Sequence, residues 1–237
     1  MPDWDRPGTA RSELRWVATL GVEHASVRLH DIEPAYASAT VTSIPELVQR
    51  LMPRSPRGRP FVLAIDGRSA NGKTTLAQRI ARAVPGCSIV HTDDIAWWHS
   101  RFGWDDLLID GVIEPLFRGH NVSYRPPAWS ARGRTGAIDI PAAADVVIVE
   151  GVGAGRSSLV PWLDAVIWVQ SDLDVSERRD AARVEAGEVD LQGYHDWMAE
   201  EVPFLAAERT WERADVVVCG PSHVAHDPDS EVIVLTH

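Results

Sequence analysis

The sequence predicts an α/β fold in which helices cover both faces of a central, mostly parallel sheet of about five strands. From Phe61 onward, short runs of consecutive apolar residues alternate with helical segments, which is typical of parallel strands buried on both faces. The chain has 237 residues, of which 45% are hydrophobic and 24% are charged. A chain of this size and composition can bury a sizeable core without disulfides or structural metals.

The strands follow from the apolar runs. The five runs expected to form the parallel strands are Phe61–Ile65, Cys87–His91, Val146–Val149, Ala165–Val169 and Ala214–Val218. A short strand is expected at Asn121–Tyr124, and a last strand at the edge of the sheet is expected at Glu231–Thr236. Residues 125–140 are rich in Pro, Gly and Arg and are expected to form a loop.

Amphipathic patterns and capping residues predict the helices of this region. Helices are expected over Lys73–Val84, stopped by Pro85 and Gly86, and over Asp105–Arg118, closed by Gly119. Asp174–Glu177 is expected to cap a further helix. A helical stretch over 189–211 contains Pro203, which we expect to interrupt or kink it.

The first 55 residues are predicted to be an N-terminal extension of the main domain, which spans 56–237. Ser43–Glu46 has the pattern of a capping box with proline in the first turn, so a helix is expected over residues 44–52. Two short strands are expected before it, at Leu14–Leu20 and Ser26–His30. A linker rich in Pro, Arg and Gly separates this helix from the main domain.

The net charge of −11 limits the partners that the protein can have. It argues against a large nucleic-acid footprint, which needs a basic face, and against docking on anionic lipid. The sequence contains no apolar run approaching 18 residues, and its acidic N-terminus has no apolar segment typical of a signal peptide. We therefore expect a cytoplasmic protein without nucleic-acid or membrane partners. A homo-oligomer is compatible with the sequence, which is silent on oligomeric state.

A phosphate-binding loop is predicted between the first parallel strand and the helix that follows it. Residues 67–74 match G-x-x-x-x-G-K-[ST] at every fixed position. Gly67 and Gly72 allow the backbone to turn tightly, so that its N–H groups can surround phosphate oxygens. Lys73, the only lysine in the chain, adds a point charge for the β- and γ-phosphates, and the Thr74 hydroxyl is placed to bind Mg²⁺. The predicted nucleotide-binding residues of this loop are Gly67, Arg68, Ser69, Ala70, Asn71, Gly72, Lys73, Thr74 and Thr75.

Acidic residues follow two other predicted strands. Asp93 and Asp94 come directly after the second strand, and Glu150 follows the third. In an open α/β sheet, ligands bind beyond the carboxyl ends of the strands. A carboxylate there can accept a proton from an attacking hydroxyl or hold Mg²⁺ through water. The alternative for each of these residues is a solvated acid that caps a helix or turn.

Five segments of this chain resemble the uridine kinase family of P-loop small-molecule kinases. They are Ile65–Thr75, Thr92–Ile95, Leu116–Gly119, Val147–Val152 and Ala214–Val218. They occur in the family's order and at about its spacing over residues 60–220. The resemblance implies a three-layer P-loop kinase fold, with ATP or GTP and Mg²⁺ as the phosphoryl donor.

The resemblance also implies roles for individual residues. Asp93 corresponds to the general base, and Glu150 corresponds to the acid near the metal. Residues around 172–186 resemble the lid of these kinases. Within the lid, Arg179 and Arg183 lie on one helix face and could clamp the transferring phosphate, or could instead belong to a solvated face.

These features predict a kinase that transfers the γ-phosphoryl group of ATP to a hydroxyl, most readily the 5′-hydroxyl of a uridine- or cytidine-like nucleoside. The family's uracil-binding Tyr and His are absent from the corresponding positions, Pro127–Trp129 and Arg132. The acceptor therefore stays open between a nucleoside, a sugar, an amino sugar, a pantothenate-like compound and a monophosphate, and a P-loop ATPase without an acceptor is the other alternative. The predicted substrate-binding residues are Asp94, Trp97, Trp98, Asp105, Trp129 and Arg132. The alternative for the tryptophans is a place in the core.

Overall fold

A computed structural model describes residues 28–52, 56, 58–220 and 224–236. The predicted strand at Leu14–Leu20 lies outside the described residues, and the described part of the predicted strand at Ser26–His30, residues 28–30, is not a strand. The described residues contain nine strands: β1 (Ser38–Ser43), β2 (Phe61–Gly67), β3 (Cys87–His91), β4 (Val122–Tyr124), β5 (Ile138–Ile140), β6 (Val146–Glu150), β7 (Ala165–Gln170), β8 (Val216–Cys219) and β9 (Glu231–Thr236).

Seven of these strands form one mixed sheet in the order β1-β9-β8-β7-β2-β6-β3. The five strands from β8 to β3 are parallel and are the five predicted from the apolar runs, so the predicted fold class is confirmed. β9 is antiparallel to both β8 and β1. The prediction that β9 lies at the sheet edge is wrong, because β1 pairs with its outer side.

The described helices are α1 (Ile44–Leu51), α2 (Lys73–Ala83), α3 (Thr92–Ala96), α4 (Asp105–Leu108), α5 (Glu114–Phe117), α6 (Pro127–Ala131), α7 (Leu173–Glu185) and α8 (Leu191–Glu208). A π-helical turn, Ile109–Ile113, joins α4 to α5, so the predicted helix over Asp105–Arg118 is one composite element. Two 3₁₀ segments lie at Ser157–Trp162 and Thr210–Glu212. Within the described ranges, no helix is long and apolar enough to span a bilayer.

The central strand β2 shows how the sheet supports a core on each face. Side chains alternate between the two faces along a strand. Val62 and Ala64 pack into the cluster that contains Leu108 of α4. Leu63 and Ile65 pack into the opposite cluster, which is covered by α1 and α2. Every residue of β2 is buried, which explains why this strand reads as a continuous apolar run rather than an alternating one.

The end of the predicted N-terminal extension is built into the main sheet. The predicted capping box is present, because Ser43 and Glu46 bond to each other's backbone N–H groups at the start of α1. Before it, β1 pairs with β9 over six residues, from Ser38 with Thr236 to Ser43 with Glu231. The boundary at residue 55 stays a proposal, and residues 38–51 share the sheet and the core with the rest of the chain.

Three local predictions are corrected by the structure. The helix α7 is capped by Asp172, whose side chain accepts the Asp174 N–H, and not by Asp174 itself. The helix α8 is not interrupted at the exposed Pro203, and the fully buried Glu201 and Leu205 lie on either side of the proline; the expected kink stays a prediction. The expected loop 125–140 contains α6, which begins at a proline, and β5, whose buried isoleucines pair with β4.

Candidate functional site

The phosphate loop turns sharply between β2 and α2, and two glycines make the turn possible. Gly67 has φ +151°, and a Cβ atom there would lie 2.4 Å from the carbonyl oxygen of Val169. Gly72 has φ +94° and is the N-cap of α2. Residues with a Cβ atom rarely adopt such backbone conformations. The loop therefore has the shape that the motif predicts.

The effect of Gly67 can be tested against a glycine that has open space around it. We expect Gly67→Ala to abolish nucleotide binding and to lower the melting temperature, because the new methyl group would collide with rigid strand backbone. The matched control is Gly119→Ala, where φ is also positive at +76° but nothing lies within 4 Å. This control is expected to cost only about 1–2 kcal/mol of backbone strain. Calorimetric titration and thermal unfolding of both variants measure the two effects. Normal nucleotide affinity in Gly67→Ala would contradict the predicted role.

Side chains from outside the loop hold its backbone in place. The fully buried Asp66 accepts the N–H groups of Gly67 (2.7 Å), Gly153 (2.7 Å) and Gly155 (3.0 Å), which ties the loop to the segment after β6. Burial raises the pKa of Asp66, although these three donors and Lys73 act in the opposite direction. No role was predicted for Asp66 from the sequence. A carboxylate directly after the apolar run Phe61–Ile65 was the feature that could have indicated one.

Asn71 and Lys73 also make specific contacts that hold the loop. The Asn71 side chain is fully buried, donates to the Val169 carbonyl (3.0 Å) and accepts the Ser171 hydroxyl (2.7 Å). The Lys73 ammonium donates to the Arg68 carbonyl oxygen at 2.8 Å. Lys73 is nevertheless part of the cavity lining, so its charge lies beside the space that a phosphate would fill.

The acidic strand ends converge on the start of α2. The Thr74 hydroxyl donates to Glu150 Oε1 at 3.0 Å. His91, paired in register with Glu150 on the neighbouring strand, contacts the same oxygen through Nδ1. That hydrogen bond is the main reason why the pKa of His91 is raised. A hydroxyl and a carboxylate oxygen side by side are the hard ligands that Mg²⁺ prefers, so Thr74 and Glu150 fit a magnesium site.

Asp93 lies in the first turn of α3 and faces the same cavity. Burial raises the pKa of its carboxyl group, Lys73 opposes this shift, and the negative charge of Glu150 adds to it. An aspartate with a raised pKa binds a proton more readily than an ordinary surface aspartate. Asp93 is therefore a carboxylate that lines the same cavity as the phosphate loop and can bind a proton.

Two arginines of α7, the predicted lid helix, complete this arrangement. Arg179 donates from Nη1 to the carbonyl oxygen of Ala70 at 3.0 Å, which places its guanidinium against the phosphate loop. Arg183 has looser ion-pair distances of 3.7 Å to Asp180 and 3.5 Å to Glu188. Both arginines line the cavity. The predicted phosphate clamp is thus close to the predicted phosphate cradle.

The cavity that these residues share has a volume of about 700 Å³. Its other wall is formed by side chains that sequence reasoning missed: Arg101, from the loop before α4, and Tyr194 and Trp197, from α8. Arg101 is paired with Glu200 of α8. The three-residue spacing of Tyr194 and Trp197 on a helix was the signal that could have placed both on one face.

The six predicted substrate-binding residues lie elsewhere, and none of them is in the lining of this cavity within the described part of the chain. Asp94 pairs with Arg134 at 2.5 Å, and its backbone carbonyl accepts the indole N–H of the buried Trp129. Trp97 packs edge-on against Trp98. Asp105 lies 3.4 Å from the buried Arg156.

The arginine–tryptophan stack beside α3 is the most exposed part of this group. The Arg132 guanidinium lies 3.7 Å above the ring of Trp98, which is 65% exposed and has φ +54°. Neither Arg125 nor Arg134, the other arginines of the predicted loop, lines the cavity in the described ranges. The substrate role of the six residues therefore stays a prediction.

Comparison with known proteins yields structural neighbours only, since no family model and no curated protein matches the sequence. A possible uridine kinase from Bacillus stearothermophilus is similar over 73% of this chain and 96% of its own, with 24% identity and a TM-score of 0.50. A provisionally named fructose transport system kinase from Silicibacter sp. TM1040 is similar over 75% of this chain and 97% of its own, with 18% identity and a TM-score of 0.48. The first likeness, together with the parallel sheet and the phosphate loop, shows that this chain has the fold of the P-loop kinases.

Proposed function

We propose that this protein is an ATP-dependent small-molecule kinase that transfers a γ-phosphoryl group to a substrate hydroxyl. One observation carries the proposal: a single cavity is lined by the phosphate loop, by Asp93 and by Arg179 and Arg183. Phosphoryl transfer needs a phosphate cradle, a group that orients or deprotonates the acceptor, and cations that neutralise charge on the transferring oxygens. Residues that could supply all three parts line one space of about 700 Å³, which supports the proposal.

In this proposal each residue has one task. The loop amides and Lys73 hold the triphosphate, and Arg179 and Arg183 neutralise charge on the γ-phosphoryl oxygens. Thr74 would bind Mg²⁺ directly and Glu150 would hold it through water, and the ion when bound supplies further charge neutralisation. Asp93 accepts the proton of the attacking hydroxyl. Donor choice between ATP and GTP rests on the nucleobase site, which these residues do not form.

A nucleoside 5′-hydroxyl is the acceptor that we favour. The resemblance of residues 60–220 to uridine kinases supports it, and so do Tyr194 and Trp197, which offer aromatic faces in the cavity. The aromatic groups come from α8 rather than from the segments expected to hold the base. A sugar, an amino sugar, a pantothenate-like compound and a monophosphate are the other acceptors to be compared.

An acceptor screen tests the proposal. Purified protein with Mg-ATP is offered uridine, cytidine, fructose, glucosamine, pantothenate and a nucleoside monophosphate, and ADP release is measured together with the mass of the product. We expect ADP release to depend on one acceptor class and the product to gain one phosphoryl group. Equal ADP release with and without acceptor would identify an ATPase and overturn the proposal.

The proposal also predicts a pH dependence. A general base must be ionised, and burial raises the pKa of Asp93, so kcat/KM for the acceptor is expected to fall as the pH falls through that raised pKa. The acid limb should have its midpoint above 3.8, the ordinary aspartate value, and should persist in His91→Gln, which removes a neighbouring group whose pKa is also raised. A profile without an acid limb down to the pH at which the protein unfolds would contradict the role of Asp93.

A further inference from the structure

A buried carboxylate of α8 contacts the backbone of the phosphate loop. Glu201 of α8 is fully buried, and its Oε1 accepts the backbone N–H of Ser69 at 2.6 Å. Its other oxygen, Oε2, has no hydrogen-bond partner within the described ranges. Burying an ionisable side chain costs free energy unless that side chain makes a specific interaction. The other buried residue of α8 is apolar, Leu205, which lies one helical turn further along. The contact with Ser69 is the specific interaction that Glu201 makes.

Three amides of the loop have partners inside the protein. The N–H groups of Gly67, Ser69 and Asn71 are bound within the protein, to Asp66, to Glu201 and to the Arg68 carbonyl (3.3 Å). The loop residues that line the cavity are Ser69 itself, Ala70, Gly72, Lys73 and Thr74. Glu201 therefore holds one of the three amides that are engaged inside the protein, and it does so from an element 132 residues away in the sequence.

Ala70 adds a second observation at the same place. It has φ +58°, a left-handed conformation that costs free energy for any residue with a Cβ atom. Such strain persists only where the surroundings hold it. The two neighbouring groups are both held from outside the loop: the Ser69 N–H by Glu201, and the Ala70 carbonyl by Arg179. Side-chain hydrogen bonds from Glu201 of α8 and Arg179 of α7 thus hold the backbone on both sides of the Ala70 Cα atom.

Cations close to Glu201 make its burial tolerable. Lys73 and the buried Arg68 both stabilise its charged form and oppose the burial that raises its pKa. Arg68 in turn lies 4.0 Å from Glu33, a second buried acid, which precedes β1 in the chain. The charge of Glu201 is therefore partly balanced by Arg68 and by Lys73, the second of which also lines the cavity.

We propose that Glu201 is a positioning residue for the phosphate loop. By binding the Ser69 amide, it keeps Ala70 in the left-handed conformation that presents the remaining loop amides to the phosphates of a nucleotide. This inference rests on the proposed function only in taking a nucleoside triphosphate as the ligand.

The test compares three variants by calorimetric titration with a non-hydrolysable ATP analogue and Mg²⁺. Glu201→Ala is expected to weaken binding about tenfold, since a hydrogen bond to a charged group is lost. Glu201→Gln keeps an acceptor oxygen and should bind within about threefold of the wild-type protein. Glu212→Ala, which removes an exposed acid paired with Arg209, is the matched control and should not change affinity.

A double variant separates positioning from packing. Glycine adopts the left-handed conformation without strain, so Ala70→Gly introduced into Glu201→Ala should restore most of the lost affinity. Wild-type affinity in Glu201→Ala, or an equal loss with and without Ala70→Gly, would overturn the proposal. Absence of nucleotide binding by the wild-type protein would instead refute the proposed function.

Hydrogen exchange keeps the proposal testable if Glu201→Ala does not fold. The Ser69 amide of the nucleotide-free wild-type protein should exchange slowly, and it should stay protected in Glu201→Gln. Fast exchange of this amide in the wild-type protein would show that Glu201 does not hold it, and would overturn the proposal.

Discussion

Replacing Lys73 with alanine is expected to abolish phosphoryl transfer, with a loss of at least ~10³-fold in kcat/KM for ATP. Lys73 carries the only ammonium group in the chain, and it lines the cavity from the first turn of α2. Its Nζ donates a hydrogen bond to the Arg68 carbonyl oxygen, which holds the ammonium group at the loop. Alanine at position 73 would remove that ammonium group. Turnover is measured as acceptor-dependent ADP release under saturating Mg²⁺.

The fold should survive this substitution. Lys73 makes one hydrogen bond to the loop, whereas the cores on both faces of the sheet are formed by other residues. We therefore expect the circular dichroism spectrum of Lys73→Ala to match the wild-type spectrum. Arg82→Ala, which removes an exposed cation from the last turn of the same helix, is the control and should leave turnover unchanged.

Lys73→Arg makes the prediction more specific. A guanidinium keeps the positive charge, but its planar fork is larger than an ammonium group and does not fit a tight ring of backbone amides. The chain uses arginine for its 22 other basic residues, so a lysine here is a local requirement rather than a general preference. We expect Lys73→Arg to be nearly as inactive as Lys73→Ala. Retained activity in either variant would remove Lys73 from the proposed mechanism.

The parts of the fold that sequence patterns predicted are those controlled by neighbouring residues. A strand buried on both faces needs consecutive apolar residues, so the run Phe61–Ile65 predicted β2. The phosphate loop needs two glycines and a lysine at fixed spacing, and these are adjacent in the chain. The Ser43–Glu46 capping box similarly predicted the start of α1.

The features that sequence patterns missed depend on contacts between distant segments. β9 was expected at the sheet edge because nothing in Glu231–Thr236 shows that β1, almost 200 residues earlier, pairs with it. Tyr194 and Trp197 reach the cavity only because of the way α8 packs, and the same packing brings Glu201 to Ser69. Pro203 was expected to interrupt or kink α8, and the packing of its buried neighbours keeps the helix uninterrupted.

Asp93→Asn is expected to lower kcat by at least ~10²-fold while leaving the KM for ATP within a few-fold of the wild-type value. Asparagine keeps the size and shape of the side chain but cannot accept a proton from the acceptor hydroxyl. Because the loop amides and Lys73 hold the phosphates in the proposed mechanism, nucleotide binding should be little affected. A split between kcat and KM therefore distinguishes loss of the base from damage to the phosphate loop.

The neighbouring carboxylate provides the discriminating comparison. Asp94 lies in the same first turn of α3, but its side chain is paired with Arg134 and lies outside the cavity lining. Asp94→Asn also removes one negative charge, from the adjacent residue. A general electrostatic effect would therefore lower kcat in both variants. A specific proton transfer to Asp93 would lower kcat in Asp93→Asn alone and leave Asp94→Asn within about threefold of the wild-type kcat. Wild-type kcat in Asp93→Asn would exclude Asp93 as the base.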